Sequence, residues 1–571
     1  MKVLIVLGLN HGEINSTASI SIDGKIVCGT PEERITRNKK TKLFPQNAVK
    51  FCLDFIDKKL EDCDYIAQGW NPGENWQKYN PLFSTYRTKR EDYFYTVADN
   101  LYNFVDRSPP EWVLMQQSEK NKMPPIYFVR HHLAHAANAF FLSPFKEAAI
   151  LTCDWRGEFQ TTSLGIGKEN EIEIFSTKEL PHSLGMFYAT YTQLLGYRDG
   201  YDEWKVMALS AFDVDCTEHL EKIRKTIKLT SDGLFELDQS YYQGVILDKP
   251  KLYTDKLVNL LGGREGIKGE EPDEWYFSVA KAMQTVSEEI ALHMIETLYK
   301  KTNNENLALS GGFFMNSVLN GKILDKTQFK NLYISFDPTD AGNSIGSALY
   351  VSHCVHGEKR DYSSTSSYLG KEYTENEITD ALDRRKIKSE KLENVSLTTA
   401  KLLSEGKIVA RFDGRMEFGE RALGNRSILA DPRIPEMKNK INAIIKYRES
   451  YRPFAPSIIE EKASKFFDVP EKFQCKYMEK VVPVKSEFRS KLPSITHVDG
   501  SARVHTVNIQ DNKNFYNILI EMEKLTGFPI VLNTSFNING EPIVMSPNDA
   551  LNTFFNSGLE YLILGNQLVT K

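Results

Sequence analysis

The sequence predicts an α/β protein of more than one domain, and three observations carry that expectation. The chain has 571 residues, too many for one hydrophobic core. A short apolar strand followed by a β-hairpin occurs twice, near residues 3–28 and again near 148–175. Between and beyond these repeats, helical periodicities alternate with short strands, the pattern of layered α/β folds. Apolar residues make 41% and charged residues 26%, an ordinary globular balance. No apolar run approaches the roughly 18 residues that cross a bilayer, so no membrane partner is expected. The net charge is -5, whereas a chain whose main partner is nucleic acid usually has a basic excess. Seven cysteines at irregular spacing, with no C-x-x-C pair, predict reduced thiols and a cytoplasmic location.

The elements follow in order. Val3–Leu9 is apolar and reads as a buried first strand rather than a signal segment. Residues 17–22 alternate, Asp23-Gly24 is a hairpin turn, and Lys25–Cys28 returns. A helix is expected over 46–60, after Pro45. Ile126–Val129 is a strand, and 131–141 favours helix through its four alanines. Strands are expected at 148–152, 161–166 and 171–175, and a long helix over 276–300. Leu307–Leu309 runs into Ser310-Gly311-Gly312, with a helix from Asn316. Residues 332–336 form a strand, and a helix rich in small residues starts at Gly342. The polar, Ser-rich segment 355–368 is the expected boundary between domains 1–355 and 366–571. Beyond it come two amphipathic helices within 374–406 and strands at 408–412, 518–520, 530–532 and 561–564, an α+β pattern.

Four constellations could carry chemistry, one of them His182-Ser-Leu-Gly185 and Asp202-Glu-Trp-Lys-Val-Met207, which bracket an aromatic-rich helix and would line a substrate pocket or simply pack the core. His131 and His135 lie four apart on a predicted helix, which stacks both imidazoles on one face as a metal half-site. Asp154 and Asp340 each follow a predicted strand, where carboxylates converge on the crevice of an α/β sheet. Two His and two Asp suit an iron- or manganese-like cation better than structural zinc; a polar helix end and two turn aspartates are the alternative. The Gly311-Gly312 turn would let backbone N–H groups approach a phosphate, or would simply be a tight turn. Residues 411–452 hold ten cations against six acids, among glycines 414, 419 and 424. Such density suggests a pocket for a compact anion, a solvated basic face being the alternative.

These motifs stand in an ordered set that resembles the NodU/CmcH family of O-carbamoyltransferases. The set comprises His131–His135, Asp202-Glu-Trp-Lys-Val-Met207, Ser310-Gly-Gly312 with Asn316, and Asp340-Ala-Gly342. It continues with Gly414–Ile428, Lys446–Glu449, Arg452–Pro456, His497–Val504, Leu532–Asn537 and Gly540–Pro542. The resemblance implies an N-terminal TsaD-like domain of the actin-like ATPase fold and a C-terminal YrdC-like α+β domain. It implies that carbamoyl phosphate and ATP, with Mg2+, form carbamoyl-adenylate in the C-terminal domain. The N-terminal domain would transfer the carbamoyl group to a hydroxyl of a small-molecule acceptor.

On this resemblance, Arg421, Lys446, Arg452 and Arg503 would neutralise carbamoyl phosphate, ATP and the departing pyrophosphate, helped by Arg426. Asn533 and Ser535 would hydrogen-bond the carbamoyl group or the nucleotide. Lys205, Gly311, Gly312 and Asn316 would shape the nucleotide site of the first domain. His131, His135, Asp154 and Asp340 would hold an Fe2+-like ion, and His135 is also placed among the catalytic residues. Many members carry a His and an Asp after the first strand. Here the ungapped stretch is Ile14-Asn-Ser-Thr-Ala18, so a less cationic acceptor such as a sugar, nucleoside or polyketide hydroxyl is expected. Acceptor specificity is expected in 70–125 and 215–275, and a homodimer is compatible with the reading. Two competitors are a tRNA threonylcarbamoylation enzyme and a chaperone-like, nucleotide-switched binding protein.

Overall fold

The computed structural model describes residues 3–12, 15–71, 114, 117–120, 122–244, 250–363, 366–446, 451–452 and 454–571. Most of the span 70–125, where acceptor specificity is expected, lies outside the described residues. The chain divides into two compact units: residues 1–32 with 40–365, and residues 33–39 with 366–571.

The first unit contains the repeat anticipated from the two hairpins. Strands β1 (Ile5–Asn10), β2 (Thr17–Ile22), β3 (Lys25–Pro31), β4 (Tyr65–Gln68) and β5 (Ile126–Phe128) form a sheet in the order β3-β2-β1-β4-β5. Strands β6 (Glu147–Cys153), β7 (Gln160–Lys168) and β8 (Glu171–Glu179) join two later strands in a second sheet. After a small hairpin, β9 (Ile227–Leu229) and β10 (Phe235–Leu237), come β11 (Asn306–Ser310) and β12 (Asn331–Ile334), giving the order β12-β11-β6-β7-β8. In each sheet the first three strands are antiparallel and the other two extend it in parallel. This duplicated order is the architecture expected of the actin-like fold.

Helices carry the parallel crossovers and cover the sheets. Helix α1 (Gln46–Phe55) is capped by Glu32, whose carboxylate accepts from the backbone of Asn47 and Ala48. Helices α2 (His131–Leu142), α3 (Glu274–Thr302) and α4 (Ser317–Lys326) precede α5 (Asn343–Tyr350). The small residues of α5 have a packing reason. A Cβ on Gly8 of β1 would lie 1.9 Å from the Ser344 carbonyl, and one on Gly346 would lie 1.9 Å from the Ala134 carbonyl of α2. Helix α5 therefore presses against β1 on one side and α2 on the other. That contact brings the turn before α5, with Asp340, against the first turn of α2, with its histidines.

The second unit is a nine-stranded mixed sheet. Its strands are β13 (Glu390–Lys391), β14 (Val409–Phe412), β15 (Arg426–Ala430), β16 (Ala455–Ile459), β17 (Lys480–Pro483), β18 (Ser501–Val507), β19 (Ile530–Ser535), β20 (Tyr561–Leu564) and β21 (Gln567–Thr570). Their order is β13-β21-β20-β14-β15-β19-β16-β18-β17. Helix α6 (Glu375–Arg384) opens with a Thr374/Glu377 capping box. Helix α7 (Val395–Ser404) and helix α8 (Lys513–Thr526) pack on one another. The strand expected at 518–520 is corrected: those residues lie inside α8. Phe515, Ile518, Leu519 and Met522 are all buried, a helical spacing that a three-residue apolar run conceals. Asn512 caps this helix by accepting from the Phe515 N–H.

A buried histidine supports this face of the sheet. His505 is 3% exposed, stacks on Phe515, and shares a 2.8 Å hydrogen bond with Ser457 Oγ. Burial pushes its pKa down to about 3 from 6.5. Below pH 6.5 the unfolded chain binds a proton that the folded chain refuses, so stability falls as pH drops toward 3. At pH 5 the expected loss from this group is about 2 kcal/mol. Urea unfolding across pH 7 to 5 should show a shallower slope in His505→Gln than in wild type. The same method checks the α5 contact: Gly346→Val should destabilise the first unit by about 1–3 kcal/mol or more.

Candidate functional site

Four side chains expected from the sequence to meet do meet. His131 opens α2 and His135 lies one turn on, so both rings project from one face. Asp154 directly follows β6, and Asp340 opens the short turn Asp340–Gly342 before α5. Their ligand atoms all lie within 4.8 Å of one another. The two Nε2 atoms are 3.0 Å apart. His135 Nε2 is 2.9 Å from Asp154 Oδ2 and 3.5 Å from Asp340 Oδ1. His131 Nε2 is 3.5 Å and 3.4 Å from the same two oxygens. The histidines are at most 1% exposed and Asp154 is 8% exposed.

This arrangement has an electrostatic signature. Burial opposes charge on His131, yet Asp340 and Asp154 outweigh it and raise its pKa to about 10. Burial likewise resists charge on Asp154, but the two histidines hold its carboxyl well below the usual range. Both shifts register one demand, positive charge at the centre of the cluster. Asp154 Oδ2 is buried and makes no hydrogen bond, despite its closeness to His135. Two imidazoles and two carboxylates with an orphaned oxygen suit a divalent transition cation. His132 is outside the group: Nδ1 bonds Thr152 Oγ1 at 2.7 Å and Nε2 bonds the Gln160 carbonyl at 3.0 Å.

The Ser310–Gly312 turn lies against this cluster. Gly311 has φ +102°, and a Cβ there would lie 2.1 Å from the Cys153 carbonyl; one on Gly312 would lie 3.1 Å from Asp154 Oδ1. At Gly311 only glycine fits, and a side chain at Gly312 would push on that carboxylate. Asn316 caps α4 through the Leu319 N–H and forms a reciprocal amide pair with Gln284, both bonds 3.0 Å. Its amide is therefore engaged by the fold itself. Lys205 forms a 3.1 Å ion pair with Asp202. Ser317 Oγ reaches Met207 Sδ at 4.0 Å, so the Lys205 helix borders the start of α4. Two carboxylates here were given no role of their own from the sequence, Glu203 being noted only within its motif and Glu158 not at all. Glu203 carries a pKa pushed up to about 7 by burial. Glu158 accepts from the backbone N–H of His131 at 3.0 Å and of Asn71 at 2.8 Å, holding the start of α2. Asn15 has φ 60°, a left-handed conformation that Asn tolerates well. That gives the residue a backbone reason for its place beside β2.

In the second unit, Glu417 organises the segment between β14 and β15. Its Oε1 accepts from the N–H groups of Leu423, Asn425 and Arg426 at 2.8, 2.8 and 3.2 Å. Arg426 is the fully enclosed member of the arginines expected at the site. It is 0% exposed and lies over the Phe412 ring at 3.7 Å. It donates to the carbonyls of Asp413, Gly414, Asn425 and Lys371. A guanidinium so enclosed clamps its own loop through its two terminal nitrogens, while its buried Nε–H makes no hydrogen bond. Lys446 and Ser535, both expected at the site, are together: Lys446 Nζ bonds the Ser535 carbonyl at 2.6 Å and Asn537 Oδ1 at 2.7 Å. Asn533 Nδ2 donates to the Ala422 carbonyl and Ser457 Oγ, while its Oδ1 is buried without a hydrogen bond. Arg421, Arg452 and Arg503 are half-buried, and Arg421 precedes the Ala422 carbonyl that holds Asn533.

Comparison with known proteins covers both units. The model described as carbamoyltransferase N-terminus matches residues 6–349, and that of the carbamoyltransferase C-terminus matches residues 400–571. An uncharacterized protein of Synechocystis is 33% identical over 99% of this chain and 96% of its own length. Nodulation protein NolNO of Sinorhizobium fredii is 32% identical over 96% of this chain and 78% of its own. The 3'-hydroxymethylcephem-O-carbamoyltransferase of Amycolatopsis lactamdurans is 27% identical over 76% of this chain and 79% of its own. With its two units so matched, this chain belongs to the carbamoyltransferase family.

Proposed function

We propose that the chain is an ATP-dependent O-carbamoyltransferase in which the two units divide the reaction. The observation that carries the reading is the convergence of His131, His135, Asp154 and Asp340. In the second unit, carbamoyl phosphate loses phosphate to water, and the carbamate oxygen attacks the α-phosphorus of ATP. The products of that step are carbamoyl-adenylate, pyrophosphate and phosphate. Arg421, Arg452 and Arg503 bind these anions through planar donors whose charge persists in a partly buried site. The buried Oδ1 of Asn533 accepts an N–H of the carbamoyl amide. Lys446 holds the Ser535–Asn537 strand end in place.

In the first unit, an Fe2+-like cation held by the four donors would grip the adenylate phosphate and offset charge as AMP leaves. The Gly311–Gly312 turn gives the phosphate close backbone approach. The half-buried Lys205 beside the start of α4 faces the nucleotide with a positive charge. Enclosing the adenylate keeps water from the reactive carbamoyl carbon. The acceptor hydroxyl belongs to a small molecule of low positive charge, in line with a neutral Asn15 where a carboxylate would pair with an ammonium group. No helix among the described residues is long and apolar enough to cross a membrane.

Pyrophosphate release from ATP, measured without acceptor, should require carbamoyl phosphate and should fall at least about 10-fold in Arg421→Ala. Release that ignores carbamoyl phosphate would overturn the reading in favour of a nucleotide switch. Asp340→Asn should keep pyrophosphate release and lose about 100-fold or more in carbamoyl transfer to a panel of sugar and nucleoside hydroxyls. Stripping the chain of bound metal with a chelator, then removing the chelator and restoring Mg2+ for the ATP, should reproduce that split, read by isotope transfer from labelled carbamoyl phosphate.

A further inference from the structure

Two buried residues touch the ring nitrogens of the clustered histidines. His135 Nδ1 is 3.1 Å from Ser310 Oγ. That hydroxyl donates to the Pro338 carbonyl, 3.3 Å away. A hydroxyl has one proton, so a serine that gives it to Pro338 accepts the Nδ1–H of His135. The Nε2 lone pair of His135 then faces the cluster.

Asn343 attends the other ring. Its side-chain nitrogen is 3.3 Å from His131 Nδ1 and 3.2 Å from His135 Nε2. Its Oδ1 is buried and has no hydrogen bond. The two ends of a carboxamide have the same shape, and the surrounding network decides which is which. As placed, the amide N–H occupies the lone pair that a cation would need and strands its own oxygen. Turned over, the oxygen meets the Nδ1–H of His131, and the Nε2 lone pair of His135 no longer has an amide N–H competing for it.

We propose that Ser310 and Asn343 are positioning residues that hold His135 and His131 as Nδ1–H tautomers, leaving both Nε2 atoms free for a divalent cation. Both residues are 0% exposed and sit on rigid elements, Ser310 at the end of β11 and Asn343 at the start of α5. A Cβ on Gly69 would lie 3.0 Å from Asn343 Cβ, so the strand side fixes the amide closely. Outer partners of this kind orient ligand imidazoles and set metal affinity. The proposal rests on the cation-binding reading of the four donors and is independent of donor and acceptor chemistry.

The test is Co2+ titration of the metal-free full chain, following the Co2+ d–d absorption, with thermal unfolding as a check on folding. Asn343→Leu and Ser310→Ala should each weaken Co2+ binding by about 10–100-fold. Asn343→Asp, which can only accept, should bind Co2+ at least as tightly as wild type. If Asn343→Asp weakens binding as much as Asn343→Leu, the amide nitrogen is the working group and the proposal fails there. If Ser310→Ala binds like wild type, it fails at Ser310. Should the leucine variant not fold, Asn343→Ala makes the same comparison. A wild-type chain that does not bind Co2+ would instead sink the metal reading itself.

Discussion

Two carboxylates and two imidazoles cannot share a water-poor space unless positive charge sits among them. That constraint organises the first unit. Desolvated carboxylates repel one another and favour protonation, yet the two imidazoles draw the Asp154 carboxyl down and the two carboxylates draw His131 up. The fold tolerates the conflict because each group enters from a different element. The helix start of α2, the end of β6 and the turn before α5 are pinned by backbone contacts that leave no room for a Cβ at Gly311 or Gly346. Glycines at these positions are thus the steric condition for the charge arrangement. Burial of the acids would otherwise cost several kcal/mol per ion.

The second unit solves a related problem in the opposite sign. Arg411 and Arg426 are both at most 1% exposed. The terminal nitrogens of Arg426 donate to carbonyl oxygens, while those of Arg411 combine the Gly424 carbonyl with Asp413 and Asn425 side chains. Glu417 gathers three N–H groups of the same segment. The basic stretch is therefore of two kinds: cations that hold the loop together and cations left half-buried on it. Arg421 belongs to the second kind, only five residues from Arg426.

Much of this was legible in the sequence, for identifiable reasons. Most of the first unit's strands were found because apolar runs end in strong punctuation, such as Asp23-Gly24 or Ser310-Gly-Gly312; β4, β9 and β10, of three or four residues each, were too short to show. The meeting of His131, His135, Asp154 and Asp340 was anticipated because helical spacing and strand ends fix direction without knowledge of packing. Strands β15 to β18 were missed: in β16 and β18 Ser457 and His505 break the apolar pattern, yet the two are buried as a hydrogen-bonded pair, and in β15 the buried Arg426 donates to backbone carbonyls. The helix at 513–526 was misread because three adjacent apolar residues outweighed a wider helical period. Arg426 was assigned to a ligand because density of charge in a sequence does not distinguish a guanidinium facing solvent from one enclosed by carbonyls. Asn343 carried no signal, since its importance lies in which ring nitrogens it meets.

Residues 33–39 belong to the second unit, although the chain on both sides of them belongs to the first. Arg34 donates to the Gly419 carbonyl, and Arg37 to the carbonyls of Pro542 and Ile543. The second unit is therefore discontinuous in the gene. A fragment starting at Ser366 lacks seven residues of its own body and leaves three carbonyls without their donors. No single cut of the chain separates the two units intact. A recombination event that exchanged the C-terminal half between relatives would have to match it to an N-terminal loop inherited from elsewhere, which ties the two halves into one evolutionary unit.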